Sequence, residues 1–369
     1  MIWKLTESKE WEILEKKFSW VDDMQDVPQD SLHHAEGNVA VHTQMVIDSL
    51  LKDTDFQCLD EQQKEVLWTS ALMHDIEKRS TTLVDAVGRV SSPSHARKGA
   101  QTTRKILFRD FDTPFNIREK IVSLVRYHGL PLWLMDKADP MKSALEASLQ
   151  LDLSHLRILA KADAKGRTCQ DMDALMYALE MFELYTKEIG CWQSAPSFET
   201  PNARFTYFNA LDSYVDYVPF DRFKSEVIVL SGLPGMGKDY YISKLDKDLP
   251  VISLDDIRRQ YRIDPTDKRR NGWVVQEAKE MAKKYLRAGQ GFIWNATNIT
   301  ALMRKQLVDL FVDYQAYVKL VYIEKPYHIW RMQNKNRAYP LPDMVLDKML
   351  HNLDVPQLTE AHEVHYEVY

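Results

Sequence analysis

The sequence predicts two domains, an all-helical domain followed by an α/β domain built on a parallel sheet. The chain has 369 residues, which exceeds the usual size of a single domain. Apolar residues recur at helical spacing in its first half, whereas short β-branched runs alternate with helical patterns in its second half. The segment between them, residues 190–221, is rich in proline, serine, asparagine and aromatic residues. We therefore predict a first domain at residues 1–221, which ends in this connecting segment, and a second at residues 222–369.

The individual elements follow from the same patterns. The clearest helical stretches of the first domain are residues 39–51, 62–74, 117–127 and 174–188. No alternating strand pattern lies between the first three of them. The predicted strands of the second domain are residues 227–230, 251–254, 292–294 and 318–323, and helices at 273–286 and 301–314 lie between them. Strands that alternate with helices indicate a parallel sheet.

Composition excludes several classes of protein. No stretch approaches the roughly 20 apolar residues of a membrane helix, and the first ten residues lack the apolar core of a signal peptide. The three cysteines, Cys58, Cys169 and Cys191, form no CxxC pair, which argues against a disulfide framework or a cysteine zinc site. We expect a cytoplasmic protein without a membrane partner. The sequence leaves its oligomeric state, including a homodimer, open.

Charge is divided unevenly between the two domains. The net charge is −6; residues 224–369 hold 22 Lys and Arg against 19 Asp and Glu, and the preceding residues hold 26 against 35. An acidic domain that acts on phosphate needs cations, and bound metal is their usual source. The small positive excess of the second domain does not by itself indicate nucleic-acid binding.

The sharpest motif follows the first predicted strand of the second domain and fits the P-loop template G-x-x-x-x-G-K. Its residues are Gly232, Leu233, Pro234, Gly235, Met236, Gly237 and Lys238. Backbone N–H groups of such a loop surround phosphate, and Lys238 reaches the β and γ phosphates of ATP or GTP. The template continues with Ser or Thr for magnesium, but here Asp239 follows, and its carboxylate either holds the ion or repels phosphate.

Two further features of the second domain suit a kinase. Asp255 follows the second strand, where a carboxylate can take the proton of an attacking hydroxyl, and Arg258 one turn later can hold a phosphate. The alternative is that Asp255 marks only a helix start, as its N-cap and first-turn charge. The basic stretch 331–337 is either a solvated helix face or the lid of a small kinase, in which Arg331 and Arg337 neutralise the transferred phosphoryl group. Such a kinase runs on Mg²⁺.

The first domain carries an ordered set of histidines and aspartates. Singly, each is more often a surface or core residue than a ligand, but together they suit one or two transition-metal ions, such as Mn, Fe, Co, Ni, Cu or Zn. The candidate ligands are His42, His74, Asp75, His95, His128 and Asp163. Asp75 can bridge two ions, and such a pair activates water and binds a phosphate ester.

Four more residues surround these ligands in the sequence. Lys78 lies one turn after Asp75, and Arg167 is a phosphate-facing cation one turn after Asp163. His33 and His34 precede the first ligand helix, and the sequence does not decide which of the two contacts substrate.

The metal-ligand set, with Lys78 in the spacing HD-x-x-K, resembles the HD superfamily of metal-dependent phosphohydrolases and its two-metal subgroup. Residues 36–43, EGNVAVHT, resemble the start of HD domains such as those fused to tRNA nucleotidyltransferases. The second domain resembles the phage-type 5′-hydroxyl polynucleotide kinases in GLPGMGK, DDIR at 255–258, NATN at 295–298 and NRAYPLPDMVL at 336–346. This likeness implies that Asp255 is the general base, that Arg258 contacts the acceptor phosphate and Arg337 the donor phosphates, and that Asn298 lies among the substrate contacts.

The order of the two domains resembles the bacterial HD-Pnk family of bifunctional end-healing enzymes over nearly the whole chain. This implies removal of 2′,3′-cyclic or 3′-terminal phosphates and phosphorylation of 5′-hydroxyl ends of RNA or DNA, which prepares both ends for a ligase. One alternative is nucleotide metabolism, with an HD nucleotide phosphohydrolase and a small-molecule kinase. Another is a regulatory protein whose HD domain only senses a ligand, although a sensor need not keep a general base and a water-activating metal.

Overall fold

The computed structural model of this chain describes residues 2–30, 34–246, 248–264, 266–336 and 340–369. The chain divides into two compact units, Met1–Pro196 and Ser197–Tyr369. A helical region followed by a unit with a five-stranded parallel sheet confirms the predicted fold class. Across these described ranges, no helix combines the length and the hydropathy that crossing a bilayer requires.

The first unit is built mainly from helices α1 to α12. The helices are α1 Trp11–Lys17, α2 Ser19–Asp22, α3 Val39–Lys52, α4 Thr54–Gln57, α5 Glu61–Met73, α6 Lys78–Thr81, α7 His95–Asp110, α8 Phe115–Tyr127, α9 Leu130–Trp133, α10 Pro140–Ser148, α11 Leu153–Lys165 and α12 Met172–Glu188. The four helices predicted from the sequence correspond to α3, α5, α8 and α12, each within two residues at either end.

One short hairpin interrupts the helices of the first unit. Strand β1 (Leu83–Val84) pairs antiparallel with β2 (Val90–Ser91). The sequence did not indicate these strands because two residues are too few to show an alternating pattern.

Helix α5 is the central helix of the first unit and positions the His74-Asp75 pair. Asp60 and Gln63 form a capping box at its N-terminal end, which fixes where the helix begins. Every side chain from Glu65 to Met73 is buried, because α3, α8 and α11 pack around this helix. His74 and Asp75, at the end of α5, therefore lie in the interior of the first unit.

Helices α3 and α11 approach each other closely at Gly166. A Cβ atom on Gly166 would lie 2.6 Å from Val46 Cγ2 and 2.8 Å from Val46 N, so only glycine allows this contact. The close approach holds the end of α11, which carries Asp163, beside His42 on α3.

The second unit is an α/β layer structure. Its elements are α13 Pro201–Asn209, β3 Ser225–Ser231, α14 Lys238–Lys244, β4 Val251–Ser253, α15 Leu254–Gln260, α16 Lys268–Arg287, β5 Phe292–Asn295, α17 Ala301–Asp313, β6 Ala316–Glu324, α18 Tyr327–Lys335, α19 Asp343–His351 and β7 Glu363–Val368. The strands lie in the order β4-β5-β3-β6-β7, and every neighbouring pair is parallel. The P-loop follows β3, the central strand of the sheet.

Two elements of the second unit lie outside the predicted pattern. Strand β7 is at the edge of the sheet with half-exposed side chains, so it lacks the continuous apolar run that marks the inner strands. Helix α13 lies within the segment predicted as a connection, and it packs on the sheet unit. Arg204 Nη2 donates to the carbonyl oxygen of His362 at 2.8 Å, and the ring of Phe205 lies 4.4 Å from that of His362.

Candidate active sites

The six predicted ligand side chains of the first unit converge in its interior. His42, His74 and Asp163 form one group and Asp75, His95 and His128 a second, and within each group the ligand atoms lie within 4.8 Å of one another. They come from α3, from the ends of α5 and α8, from the start of α7 and from α11. The helices thus bring together residues that are up to 121 positions apart in the sequence.

Asp75 lies between the two groups and faces each with a different oxygen. Its Oδ2 atom is 3.3 Å from His74 Nε2 and 3.8 Å from His42 Nε2. Its Oδ1 atom is 3.4 Å from His95 Nε2 and 4.0 Å from His128 Nε2. Two donors that share an ion at about 2.1 Å are separated by about 3 to 4 Å, depending on the angle between them, so Asp75 and these histidines could hold bound metal together.

The four histidines present the same nitrogen to the centre. In His42, the Nδ1 atom lies 3.2 Å from the carbonyl oxygen of Gly166. In each of the other three histidines, the Nδ1 atom lies 2.7 to 2.8 Å from the carbonyl oxygen of the residue three positions earlier. A carbonyl oxygen only accepts hydrogen bonds, so Nδ1 carries the proton and Nε2 of a neutral ring offers a lone pair. This is the orientation that second-sphere contacts impose on metal-binding histidines.

Polar atoms at the centre of this cluster have no hydrogen-bond partner among the described residues. They include His42 Nε2, His74 Nε2 and Asp75 Oδ1, all of them buried. The nearest carboxylate oxygen to His42 Nε2, on Asp163 at 3.2 Å, lies outside hydrogen-bonding geometry. Buried polar atoms without partners are costly, and metal ions bound by these atoms would remove that cost. The donor set therefore fits bound metal.

The electrostatics of the cluster favour added positive charge. Burial would raise the pKa of Asp75, but the charges of Lys78 and His74 outweigh it and hold that pKa well below its ordinary value. Burial would lower the pKa of His42, but Asp163 and Glu36 outweigh it and raise that pKa. A proton or a metal ion can supply the charge that these carboxylates favour. Burial and repulsion from the neighbouring histidines lower the pKa of His128 to about 3, so that ring is neutral near pH 7.

Glu36 is a functional candidate to which the sequence gave no role. Its Oε1 atom lies 2.8 Å from His34 Nδ1 and 2.9 Å from His42 Nδ1, and its Oε2 accepts from the backbone N–H of Thr168 at 2.9 Å. Glu36 therefore fixes the orientation of His42 from behind. Glu36 lies in a loop before α3, where no helical period marks it. The sequence indicates it only as part of the EGNVAVHT stretch.

Replacing Glu36 with glutamine is expected to weaken metal binding by the first unit about 10- to 100-fold, because outer ligands that orient histidines contribute on that scale. The amide keeps the size of the side chain but loses the charge that holds both Nδ1–H groups. Titration of chelator-stripped protein with Mn²⁺ or Co²⁺, followed calorimetrically, measures the change. Unchanged affinity would show that Glu36 does not support the ligand set.

A cavity of about 510 Å³ opens from the metal-ligand cluster. Among its lining residues are Asp75, His95, His128 and Asp163, the cations Lys78 and Arg167, and His34. Lys78 Nζ lies 2.8 Å from Asp75 Oδ2, and Arg167 Nη2 lies 2.8 Å from Asp163 Oδ2. The two predicted cations thus join the ligand cluster and also face the cavity. His33 lies outside the described residues.

In the second unit the P-loop encloses the ammonium group of Lys238, whose Nζ donates to the carbonyl oxygens of Gly232 at 2.9 Å and Leu233 at 3.0 Å. Gly232 has φ 150°, and a Cβ there would lie 2.5 Å from the carbonyl oxygen of Ile323 on β6. Only glycine lets the loop leave β3 this close to the neighbouring strand. Trp330 Nε1 on α18 donates to the carbonyl oxygen of Pro234 at 2.8 Å and so braces the loop.

Asp239, which replaces the usual Ser or Thr, accepts a hydrogen bond at 2.7 Å from the side-chain amide of Asn295 at the end of β5. The carboxylate is therefore held at the same edge of the sheet as the P-loop. Asn295 was not predicted as a site residue, although it belongs to the NATN motif. Asn298, the predicted substrate contact in that motif, is buried, has φ 44°, and donates to the carbonyl oxygen of Leu230 at 2.7 Å.

Asp255 and Arg258 form an ion pair on α15. Arg258 Nη1 donates to Asp255 Oδ1 at 2.6 Å, and Arg258 Nε donates to Asn271 Oδ1 at 2.6 Å. The helix cap is Ser253, whose Oγ accepts from Asp256 N at 3.2 Å. Ser253 and not Asp255 is therefore the capping residue, whereas the first-turn charge that the alternative assigned to Asp255 is present, because its exposed carboxylate lies in the first turn of α15.

The predicted lid arginines belong to α18 and the residues after it. Arg331 Nη2 lies 2.7 Å from Asp343 Oδ2 on α19, which ties these two helices together. Arg337 lies outside the described residues, so its assignment to the donor phosphates stays a prediction.

Comparisons with known proteins bear on the second unit. A family model described as an AAA domain matches residues 227–356. A solved structure from Chloroflexus aurantiacus, provisionally described as a kinase, is 16% identical in sequence. The match covers 39% of this chain and 88% of that chain, with a TM-score of 0.32. The family match begins within β3, includes the P-loop and does not extend into the helical unit, so the second unit is similar to this AAA domain over those residues.

Proposed function

We propose that this chain heals the ends of broken nucleic acids with two separate active sites. In this proposal the helical unit is an HD-type phosphoesterase that hydrolyses 2′,3′-cyclic and 3′-terminal phosphates. The P-loop unit transfers the γ-phosphate of ATP or GTP to 5′-hydroxyl ends of RNA or DNA. The supporting observation is that one chain combines two candidate sites. In the helical unit, the Asp75 carboxylate lies between two groups of histidines. In the second unit, the Asp255–Arg258 pair lies at the same edge of the sheet as the P-loop. The products, a 3′-hydroxyl and a 5′-phosphate, are the ends that a ligase joins.

In the phosphoesterase, the Nε2 atoms of the four histidines, with Asp75 and Asp163, would hold the metal. Bound metal supplies Lewis acidity and a water of lowered pKa. Lys78 and Arg167 face the cavity and are placed to bind the non-bridging oxygens of the substrate phosphate. His34, with Nδ1 held by Glu36, lines the cavity, and in this proposal its Nε2 exchanges a proton with the oxygen released from phosphorus.

In the kinase, the P-loop binds the donor phosphates and Lys238 stabilises charge on the β and γ oxygens. Asp255 accepts the proton of the attacking 5′-hydroxyl, and Arg258 orients Asp255 and binds an acceptor phosphate. Asp239, held by Asn295, is positioned to bind Mg²⁺ directly or through water.

The decisive experiment uses the full chain and one oligonucleotide that carries a 5′-hydroxyl and a 2′,3′-cyclic phosphate. We expect the cyclic end to be opened and removed, and the 5′ end to gain the labelled γ-phosphate, as followed by electrophoresis and mass spectrometry. Free nucleosides and mononucleotides are tested in parallel. Faster turnover of these small molecules than of the oligonucleotide would instead support nucleotide metabolism and overturn the proposal.

Changing Asp255 to alanine is expected to lower the kinase turnover number by at least about 10²-fold, the low end for a positioned general base. The dissociation constant for ATP should change little, because Asp255 faces the acceptor. Steady-state kinetics and equilibrium nucleotide binding separate the two effects.

Asp256 provides a matched control for this prediction. It lies in the same first turn of α15, is exposed, and pairs with Arg259. Asp256→Ala should retain near-normal turnover. Equal losses in the two variants would assign the effect to the helix rather than to a general base.

A further inference from the structure

The cavity beside the metal-ligand cluster extends well beyond the residues that act on phosphate. Its outer half, which we define by Arg126, Leu130, Trp133, Lys137 and Glu146, has no part in the mechanism described above. A volume of about 510 Å³ falls within the range of small-molecule pockets, which is about 300 to 1,000 Å³. A phosphate group alone fills only a small part of that space.

Trp133 is the principal apolar surface of the outer half. It ends the short helix α9, and 51% of its surface is exposed although it is a large aromatic residue. Its Cδ1 atom lies 3.8 Å from the position that a Cβ atom on Gly129 would take, and Gly129 directly follows the ligand His128. The indole ring therefore lies close to the backbone segment that carries the ligand His128. An accessible indole in this position is a surface on which a nucleobase can stack.

Charged groups line the same cavity as this indole ring. Arg126 and Lys137 are exposed, whereas Glu146 is partly buried. Burial raises the pKa of Glu146 against the opposing effect of Arg126 and Lys142. Two cations, one carboxyl group and an aromatic surface in one cavity match a nucleotide, which combines anionic phosphate, donor groups and a flat base.

We propose that the outer half of the cavity binds the terminal nucleoside of the strand whose 3′ end reacts in the inner half. The base stacks on Trp133, Arg126 and Lys137 bind the phosphate on the 5′ side of that nucleotide, and Glu146 accepts from sugar or base donors. In a ribose ring the base and C5′ project away from the 2′ and 3′ oxygens. A phosphate at the metal ligands therefore directs both toward the cavity mouth.

This inference rests on the proposed phosphoesterase activity and adds that the outer half of the cavity recognises the terminal nucleoside itself, beyond the cyclic phosphate. The test compares a nucleoside 2′,3′-cyclic phosphate with glycerol 1,2-cyclic phosphate, which has the same five-membered diester without ribose or base. Trp133→Ala should lower kcat/KM for the nucleoside substrate about 5- to 150-fold, the equivalent of one stacked base. The glycerol substrate should react at its wild-type rate, and Trp133→Phe should retain most of the nucleoside activity.

The two cations have a separate test. Lys137→Ala and Arg126→Ala should slow hydrolysis of a nucleoside 2′,3′-cyclic phosphate that carries a 5′-phosphate, and should have little effect on the same compound without it. Tyr177→Ala is the matched control, because Tyr177 is an exposed aromatic residue of the same unit that does not line the cavity. It should alter none of these rates.

The outcomes distinguish this inference from the proposed function. Equal losses on the nucleoside and glycerol substrates in Trp133→Ala would overturn the nucleoside subsite while leaving the phosphoesterase assignment intact. Hydrolysis of neither substrate by the wild-type protein would contradict the phosphoesterase assignment. Binding then still tests the subsite, because Trp133→Ala should weaken calorimetric binding of a nucleoside 3′-phosphate but not of glycerol phosphate. Unchanged nucleotide affinity would overturn it.

Discussion

Replacing Asp75 with asparagine is expected to abolish hydrolysis of a 2′,3′-cyclic phosphate while phosphoryl transfer to a 5′-hydroxyl end continues. The substitution keeps the size of the side chain but removes the charge and one of the two oxygens that face the histidine groups. His74→Ala should have the same outcome because it removes one of the converging Nε2 atoms. Lys238→Ala should do the reverse, with a loss of kinase turnover of at least about 10²-fold, as for other groups that stabilise transition-state charge.

Loss of folding must be separated from loss of chemistry in this experiment. Asp75 is buried and paired with Lys78, and breaking a buried ion pair costs on the order of 3 to 5 kcal/mol. The kinase activity of Asp75→Asn reports on the second unit, and thermal unfolding followed by circular dichroism reports on the helical unit. If any of these substitutions removed both activities from well-folded protein, the chain would not contain two independent active sites.

The two activities are also expected to need different metals. Protein stripped with a chelator should recover kinase activity with Mg²⁺ alone, but should recover phosphoesterase activity only with ions such as Mn, Fe, Co, Ni, Cu or Zn. Four of the six candidate ligands are imidazole nitrogens, which suit transition metals, whereas Mg²⁺ prefers oxygen ligands and retains its waters. Full recovery of phosphoesterase activity in rigorously cleaned Mg²⁺ buffer would contradict the histidine-cluster assignment.

Metal content provides a second measurement for the same prediction. His42 and His95 belong to different ligand groups, so His42→Ala and His95→Ala should each lower the number of bound transition-metal ions without emptying the other group. Elemental analysis of purified protein measures this number directly. His155→Ala is the control, because His155 belongs to neither group and should leave the metal content unchanged.

Most of the fold could be predicted from the sequence because its signals are local. The helices at 39–51, 62–74, 117–127 and 174–188 have strong apolar periods, and the four inner strands are β-branched runs between helical patterns. Strand β7 and helix α13 were not predicted. Each is stabilised by the sheet against which it packs more than by an apolar period in its own sequence. Local propensity is a poor guide where tertiary contacts stabilise the element.

The sequence by itself determined which candidate site residues are present. These are the P-loop glycines and Lys238, Asp255 with Arg258, and the histidines and aspartates of the first unit. The sequence did not determine that Asp75 directs one oxygen to each histidine group. Nor did it determine that each of the four candidate ligand histidines is held by a contact between its Nδ1 atom and a carbonyl oxygen. Those features depend on close contacts between distant helices, such as the approach of Gly166 to Val46. The roles of Glu36, Asn295 and Trp133 likewise depend on such contacts, because orientation and burial arise from packing between segments that have no fixed spacing in the chain.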